Sequence, residues 1–279
     1  MEIIRITREN WKAFESLMVV DAAAKILIPG STFALGAVED GNACGAIVVE
    51  LAGQMANILS LYVLPEQRRK GYATELMIEA ADFSVMCQPA YGFQVEFSVD
   101  LEEENGLEPF FRFCGLRLEE QEEEGCYYCL LEKASKVPIL ANKKQGGIKS
   151  FQNLTLSEKN SLTQEPPLFM TLYMKENQIE PDMSGFITED GKIRGCCVFV
   201  NMDDELSLAW LRVEPDQKLG VIPLLQQALE AAAAKYPADT RIMIPVVNRQ
   251  SKQLMEKLLQ DALVQKETRW TGTLVFDEE

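Results

Sequence analysis

The stretch LYVLPEQRRKGYATELM, residues 61–77, joins an apolar strand to a helix through a basic loop. Pro65 cannot donate to a sheet ladder and stops the strand. Apolar residues at helical spacing resume after Gly71, through TELMIEAADF. The first N–H groups of a helix lack intrahelical acceptors, and the helix dipole adds partial positive charge, so such an entry favours an anion. Gly71 lets the backbone approach a phosphate closely, Ala73 keeps the first turn slim, and Thr74 offers a hydroxyl. Arg68, Arg69 and Lys70 add three positive charges. Together these residues suit a pyrophosphate. No Gly-Lys-Ser/Thr follows, which excludes a Walker loop, and the three spaced glycines of a dinucleotide fingerprint are missing. Read alone, the loop is also compatible with an ordinary strand–turn–helix carrying a solvated basic turn.

Outward from this loop, the sequence repeats itself at an offset of 150 positions. Thr7 and Asn10 fall on Ser157 and Asn160, and Glu39-Asp40-Gly41 with Gly45 and Val48 falls on Glu189-Asp190-Gly191 with Gly195 and Val198. Val63, Pro65 and Gln67 fall on Val213, Pro215 and Gln217. So long a period implies two globular domains, expected at 1–135 and 148–279. The stretch between them, 136–147, holds Pro138, Gly146 and Gly147 and reads as a linker. Each copy reads as β α β β β α β α β β, a mixed α/β class with a mostly antiparallel sheet. In the first, Thr7 caps an expected helix through WKAFESLM, and Asp40-Gly41-Asn42 turns a hairpin. Strands follow at MANILSLYVLP and YGFQVEFSVD, a short helix at Leu107 to Cys114, and a closing pair at LRLEEQ and CYYCLLE. The second copy opens on an expected strand FQNLTL and ends on strands around ALVQKE and TGTLVF.

Composition narrows the function. Of 279 residues, 47% are apolar and the net charge is −16, with no histidine, so His-based catalysis is excluded and nucleic-acid binding is disfavoured. An acidic surface can attract a cationic acceptor, although solubility is the simpler explanation. No apolar run is long enough for a membrane helix and no secretory signal is visible, so a cytoplasmic location and no membrane partner are expected. Cys126-Tyr127-Tyr128-Cys129 places its sulfurs on opposite strand faces with no second pair, so no metal is expected, and Cys196-Cys197 reads as strand filling.

Arg68-Arg69-Lys70-Gly71-Tyr72-Ala73 resembles the R/Q-x-x-G-x-G/A signature of the GNAT acetyltransferase superfamily, and Leu61-x-Val63-x-Pro65 is similar to that family's fourth-strand ending. The strand order, over nearly all of the first domain, resembles the same fold. The resemblance implies two tandem acyl-CoA N-acyltransferase-like domains, the second degenerate, and acetyl-CoA as co-substrate. It implies pyrophosphate held by backbone amides from Arg69 to Thr74, with Arg68 beside them. It implies pantetheine between parted fourth and fifth strands, along main-chain groups of Leu61 and Val63. The Leu61 amide would polarise the thioester carbonyl. The implied reaction is direct acyl transfer to an amine, which with a pKa of about 10.4 must first lose a proton.

The sequence also departs from the pattern. The family's thiolate-protonating tyrosine falls on Phe111, with Tyr62 and Tyr72 as possible substitutes. A glutamate that some relatives carry on the fourth strand falls near Asn57, leaving Glu50 and Asp100 as acidic candidates for the general base. In the second copy, Val221 and Pro223 stand where Gly71 and Ala73 stand in the first, and Asn248 to Leu259 resembles the helix after strand five with Leu259 at the family's glycine. The acidic run Glu119 to Glu124 is either a solvated hairpin or, by the resemblance, a rim that draws in a cationic amine. Two functions fit: N-acetyltransfer to a small amine, peptide or protein amine, or non-catalytic acyl-CoA binding with an interaction role. The acceptor and the oligomeric state are not specified.

Overall fold

Residues 1–28, 30–87, 90–102, 106–141, 147–161, 178–202, 205–214 and 220–276 are described in a computed structural model. They form two compact units. Unit 1 comprises Met1–Val99, Glu103–Gln121 and Arg269–Glu279; unit 2 comprises Asp100–Glu102 and Glu122–Thr268. Each is an α/β unit with a mostly antiparallel sheet and helices against it. No described helix is long and apolar enough to cross a membrane.

In unit 1, β1 (Glu2–Ile6), β2 (Thr32–Glu39), β3 (Asn42–Ala52) and β4 (Met55–Val63) pair antiparallel in order, and β5 (Gly92–Asp100) joins β4 in parallel. Asp40 and Gly41 both have positive φ, +52° and +79°, as the β2–β3 turn demands, and Asp190 and Gly191 repeat this at +49° and +74°. Beyond β5 the sheet continues with the unit 1 part of β12 (Val264–Val275) and then of β6 (Arg117–Leu130). The chain thus returns to its first unit at its end. Gly92 is there because any side chain would meet the Leu274 carbonyl, and Phe93 packs edge-on against Phe276 at 5.0 Å.

Both faces of the unit 1 sheet are covered. On one lie α2 (Tyr72–Cys87) and α3 (Leu107–Phe113), with Ile47, Leu76, Phe93 and Phe111 buried between. On the other, Phe14 and Leu17 pack with Ala34, Ala46 and Val48 beneath α1 (Val20–Ile26). The helix expected through WKAFESLM is instead two 3-10 turns, Trp11–Ala13 and Glu15–Leu17, ahead of α1. Trp11, Phe14 and Leu17 are spaced by three, which suits a 3-10 turn better than an α-helix. Thr7 opens the turn ahead of them: its hydroxyl accepts from the Glu9 amide at 3.3 Å, and its own amide donates to the Asn10 side chain at 2.7 Å.

In unit 2, the Glu122–Leu130 part of β6 is followed across the sheet by β11 (Arg241–Val246), β10 (Glu205–Val213), β9 (Lys192–Met202), β8 (Gly185–Glu189) and β7 (Ile148–Lys149). The expected strand FQNLTL is a 3-10 turn, Phe151–Asn153, with the strand lying just before it at β7. The stretch 136–147 is helical in its first half. Val137 and Leu140, at α4 (Leu131–Ser135) and α5 (Pro138–Ala141), are buried in the core that α7 (Val221–Lys235) and α8 (Arg249–Leu259) also build. At α6 (Leu156–Ser161), Glu158 accepts from the Thr155 amide while Thr155 accepts in return, a capping box.

Two expected closing hairpins are single long strands. LRLEEQ and CYYCLLE run on as β6, and ALVQKE and TGTLVF as β12. Gly125, within β6, is needed because the Glu267 carbonyl passes where a side chain would stand. Glu119 to Glu124 therefore lie along the middle of a strand, not on a hairpin rim.

The β5–β12 contact gives a stability test. Gly92→Ala forces a side chain onto the Leu274 backbone and should destabilise the chain by roughly 1–3 kcal/mol. Urea unfolding should show a lower midpoint; an unchanged one would contradict the packing of the final strand.

Candidate active site

Parallel strands hold together by evenly spaced hydrogen bonds. β4 and β5 do so over only four pairs, Met55↔Gly92 to Ile58↔Val95. Beyond them the strands part. The cause lies on the other side of β4, where Val49 pairs with Ile58 and Val48 with Ser60, leaving Leu59 as an extra residue. Such a bulge bends its strand and strengthens its twist.

Past the bulge the ladder phase is fixed. Leu64 donates its amide to the Cys44 carbonyl at 2.9 Å. Hydrogen-bonded and non-hydrogen-bonded pairs alternate along an antiparallel ladder. Ser60 and Tyr62 are therefore bonded to β3, whereas the N–H and C=O groups of Leu61 and Val63 point away from it, toward the gap left by β5. The Val63 carbonyl accepts from Arg68 Nε at 3.1 Å.

The gap opens into a cavity of about 370 Å³. Leu61, Phe97, Leu107 and Phe111 line its α3 side. Ser60, Tyr62 and the segment Ser16–Val19 line the side facing α1. Strand alternation sends Glu96 to that same side, since Val95 and Phe97 on either side of it face the α3 core. Among the described residues, Glu96 is the one carboxylate of the lining, and Arg269 holds it at 2.8 Å. The alternation of Gln94, Glu96 and Ser98 with Phe93, Val95 and Phe97 was a sequence signal for this residue. Arg269 gave none, lying at the opposite end of the chain.

Above the gap, Pro65–Gln67 form a 3-10 turn and the backbone reverses twice, at Arg69 (φ +65°) and Gly71 (φ +92°), before α2 begins. Alternation of ordinary and left-handed residues turns successive N–H groups into one concave anion-binding nest. Among the described residues, the amides of Arg69 through Thr74 donate to no protein group; the first bond into α2 runs from Glu75 to the Gly71 carbonyl. Nothing lies within 4 Å of where a Gly71 side chain would stand, so the nest is open. Lys70 Nζ reaches Gln67 Oε1 at 2.6 Å, and the Arg68 guanidinium lies over the Tyr62 ring at 5.6 Å.

The other candidates are scattered. Glu50 forms an ion pair with Lys25 at 3.0 Å and does not line the cavity. Asp100 accepts from the Glu102 amide at 2.7 Å in the turn after β5 and belongs to unit 2. Asn57 sits within the paired part of β4, between Glu50 and Gln94. Phe111 is buried in the cavity wall against Phe97, 5.1 Å between ring centres, so the tyrosine position offers no proton. Tyr72 is committed elsewhere: its buried hydroxyl donates to Glu39, and that carboxylate, with burial, pushes the phenol up to about 12. Tyr62 remains as a hydroxyl on the wall.

Among the described residues, unit 2 repeats the strand geometry but not the nest. Leu208 pairs with Phe199 and Trp210 with Val198, so Ala209 is the extra residue, 150 after Leu59. Glu214 donates to Arg194 as Leu64 does to Cys44, and β10 joins β11 over only two pairs. Residues 215–219 of its loop lie outside the described residues. Gly220 takes ordinary helical φ and Val221 is buried in the core at the start of α7. Pro223 has no amide to offer.

Residues 2–116 match the family model of the acetyltransferase (GNAT) family. Among solved structures, a tandem GNAT protein from the clavulanic acid biosynthesis pathway is similar with a TM-score of 0.67 at 14% identity, over 100% of this chain and 99% of that one. A GCN5-related N-acetyltransferase from Sphaerobacter thermophilus is similar with a TM-score of 0.57 at 15% identity, over 98% and 95%. No curated protein sequence matches the chain. The family model thus covers the first copy of the repeat, residues 2–116, and the structural likeness shows the fold over the whole chain.

The Tyr72–Glu39 bond has a spectroscopic signature. A phenol raised in the fold contributes stability below its usual pKa of about 10, lost as pH rises through the folded value. Tyrosinate absorbance of the seven tyrosines should show one component near 12. Tyr72→Phe should remove that component and Glu39→Gln should move it down; survival of the component in the phenylalanine variant would assign it to another tyrosine.

Proposed function

We propose that unit 1 binds acetyl-CoA and transfers the acetyl group directly to an amine. The observation that carries this is the parting of β4 from β5 after Ile58, which turns the Leu61 main-chain groups and the Val63 N–H into the gap next to the open nest at Arg69–Thr74. The nest fits a pyrophosphate in shape and charge: six amides without protein acceptors and an open Gly71. Arg68, Arg69 and Lys70 border it. Acetyl-CoA supplies an activated thioester, whose C–S bond breaks as the amine nitrogen forms the new C–N bond.

The chain's own groups then have distinct tasks. The Leu61 N–H stabilises negative charge on the carbonyl oxygen. Glu96, directly or through water, takes the proton that the amine must lose. Arg269 holds that carboxylate at the cavity wall. Phe111 has no hydroxyl, so the coenzyme thiolate takes its proton from solvent. Excluding bulk water and aligning the reactants supply much of the remaining rate. The repeats at 1–135 and 148–279 divide the labour, the second lacking an anion nest at α7. We place the protein in the cytoplasm, where its seven unpaired cysteines stay reduced.

Calorimetry with CoA and thiol release from acetyl-CoA over an amine panel test the proposal. The loop needs φ near +92° at residue 71, which costs a non-glycine residue about 1–2 kcal/mol. Gly71→Val should therefore weaken CoA about ten-fold; unchanged affinity would remove the nest from the proposal. Glu96→Gln should lower kcat by about 10²–10⁴-fold with CoA affinity kept. Phe111 supports a second reading, a non-catalytic acyl-CoA-binding module, which predicts tight CoA binding and no thiol release with any amine.

A further inference from the structure

The acceptor's side of the unit 1 cavity has a character opposite to that of the whole chain. The chain carries a net charge of −16, which would favour a polycationic acceptor. Locally the balance reverses. Glu96 is the one carboxylate of the described lining, and Arg269 already neutralises it at 2.8 Å. A second guanidinium, that of Arg68, lies over the Tyr62 ring at the cavity wall. The glutamates from Glu119 to Glu124 do not line the cavity.

The rest of that side is apolar. Leu17, Met18, Val19 and Leu59 line it, relieved only by the hydroxyls of Ser16, Ser60 and Tyr62. The apolar surface continues outward: Val19 is 60% exposed and its neighbour Val20 82%. Two adjacent valines open to solvent at the rim of a cavity give an apolar ligand surface to cover. Within the described lining a second ammonium would meet those valines or a guanidinium and no second carboxylate, and burying an unpaired charge is costly.

We propose that the acceptor is a primary monoamine bearing an aliphatic or aromatic group, and not a polyamine or aminoglycoside. The proposal rests on the acyl-transfer reading above. The single amino group reacts beside Glu96, and the apolar group lies along Leu17–Val19.

The test uses the full chain with acetyl-CoA and measures thiol release from a series of straight-chain amines, propylamine to hexylamine, with 2-phenylethylamine, spermidine and kanamycin. Each methylene laid against the wall should raise kcat/KM about three- to four-fold. 2-Phenylethylamine should exceed spermidine by at least about ten-fold. Val19→Glu, at an exposed position that tolerates substitution, should flatten the series through KM and favour spermidine. A flat or falling series, or a preference for spermidine or kanamycin, overturns the inference while leaving acyl transfer standing. Should no amine release thiol, the acyl-transfer reading fails, and heats of binding of the same amines to the acetyl-CoA-loaded chain decide. Tighter binding with each methylene upholds the apolar class; binding of spermidine alone, or of none, overturns it.

Discussion

Two parallel strands stay together only while their hydrogen-bonding groups meet in register. One extra residue on the far side of β4, Leu59, ends that condition for β4 and β5. The bend has a geometric consequence. The Leu61 and Val63 main-chain groups lose a strand partner, because the ladder phase to β3 sends them the other way, and of these the Val63 carbonyl takes the Arg68 side chain instead. Unpaired main-chain groups inside a protein are costly unless water or a ligand meets them. A gap walled by such groups is thus already half of a binding site for something with amides and carbonyls of its own.

The bend alone does not make the site. Unit 2 has the same extra residue at Ala209, the same ladder phase at Glu214, and strands that part even sooner. What differs is the helix entry. At Gly71 the chain runs through left-handed conformations and leaves its amides open, whereas at Val221 the corresponding side chain is sunk in the core. A buried valine anchors α7 where an open glycine frees α2. The comparison separates the two requirements, since one unit keeps both and the other only the strand geometry.

Much of this was legible in the sequence because it depends on local chemistry. The Asp40-Gly41 turn, the proline that stops β4, and Gly71 each impose a backbone conformation that neighbours cannot override. The repeat register was readable for the same reason, since glycines and turn residues keep their spacing. The misread parts depended on distant partners. LRLEEQ and CYYCLLE read as two strands because nothing nearby in sequence reveals the Glu267 carbonyl that requires Gly125 between them. Glu50 was a reasonable acid by strand position, but Lys25, 25 residues earlier in the chain, engages it. Glu96 was visible only as an alternation, and its importance depends on which two strands separate around it.

Arg269 is the sharpest case of dependence at a distance. The last strand of the second repeat does not stay wholly with unit 2: from Arg269 onward it belongs to unit 1. There it lies along β5, with the Phe276 amide bonded to the Tyr91 carbonyl at 2.8 Å and Gly272 against Val95 and Leu118. It covers the edge that β5 would otherwise expose, which is a recognised liability of open sheets. It also delivers the guanidinium that holds Glu96. Loss of the second repeat would remove both the strand and the cation.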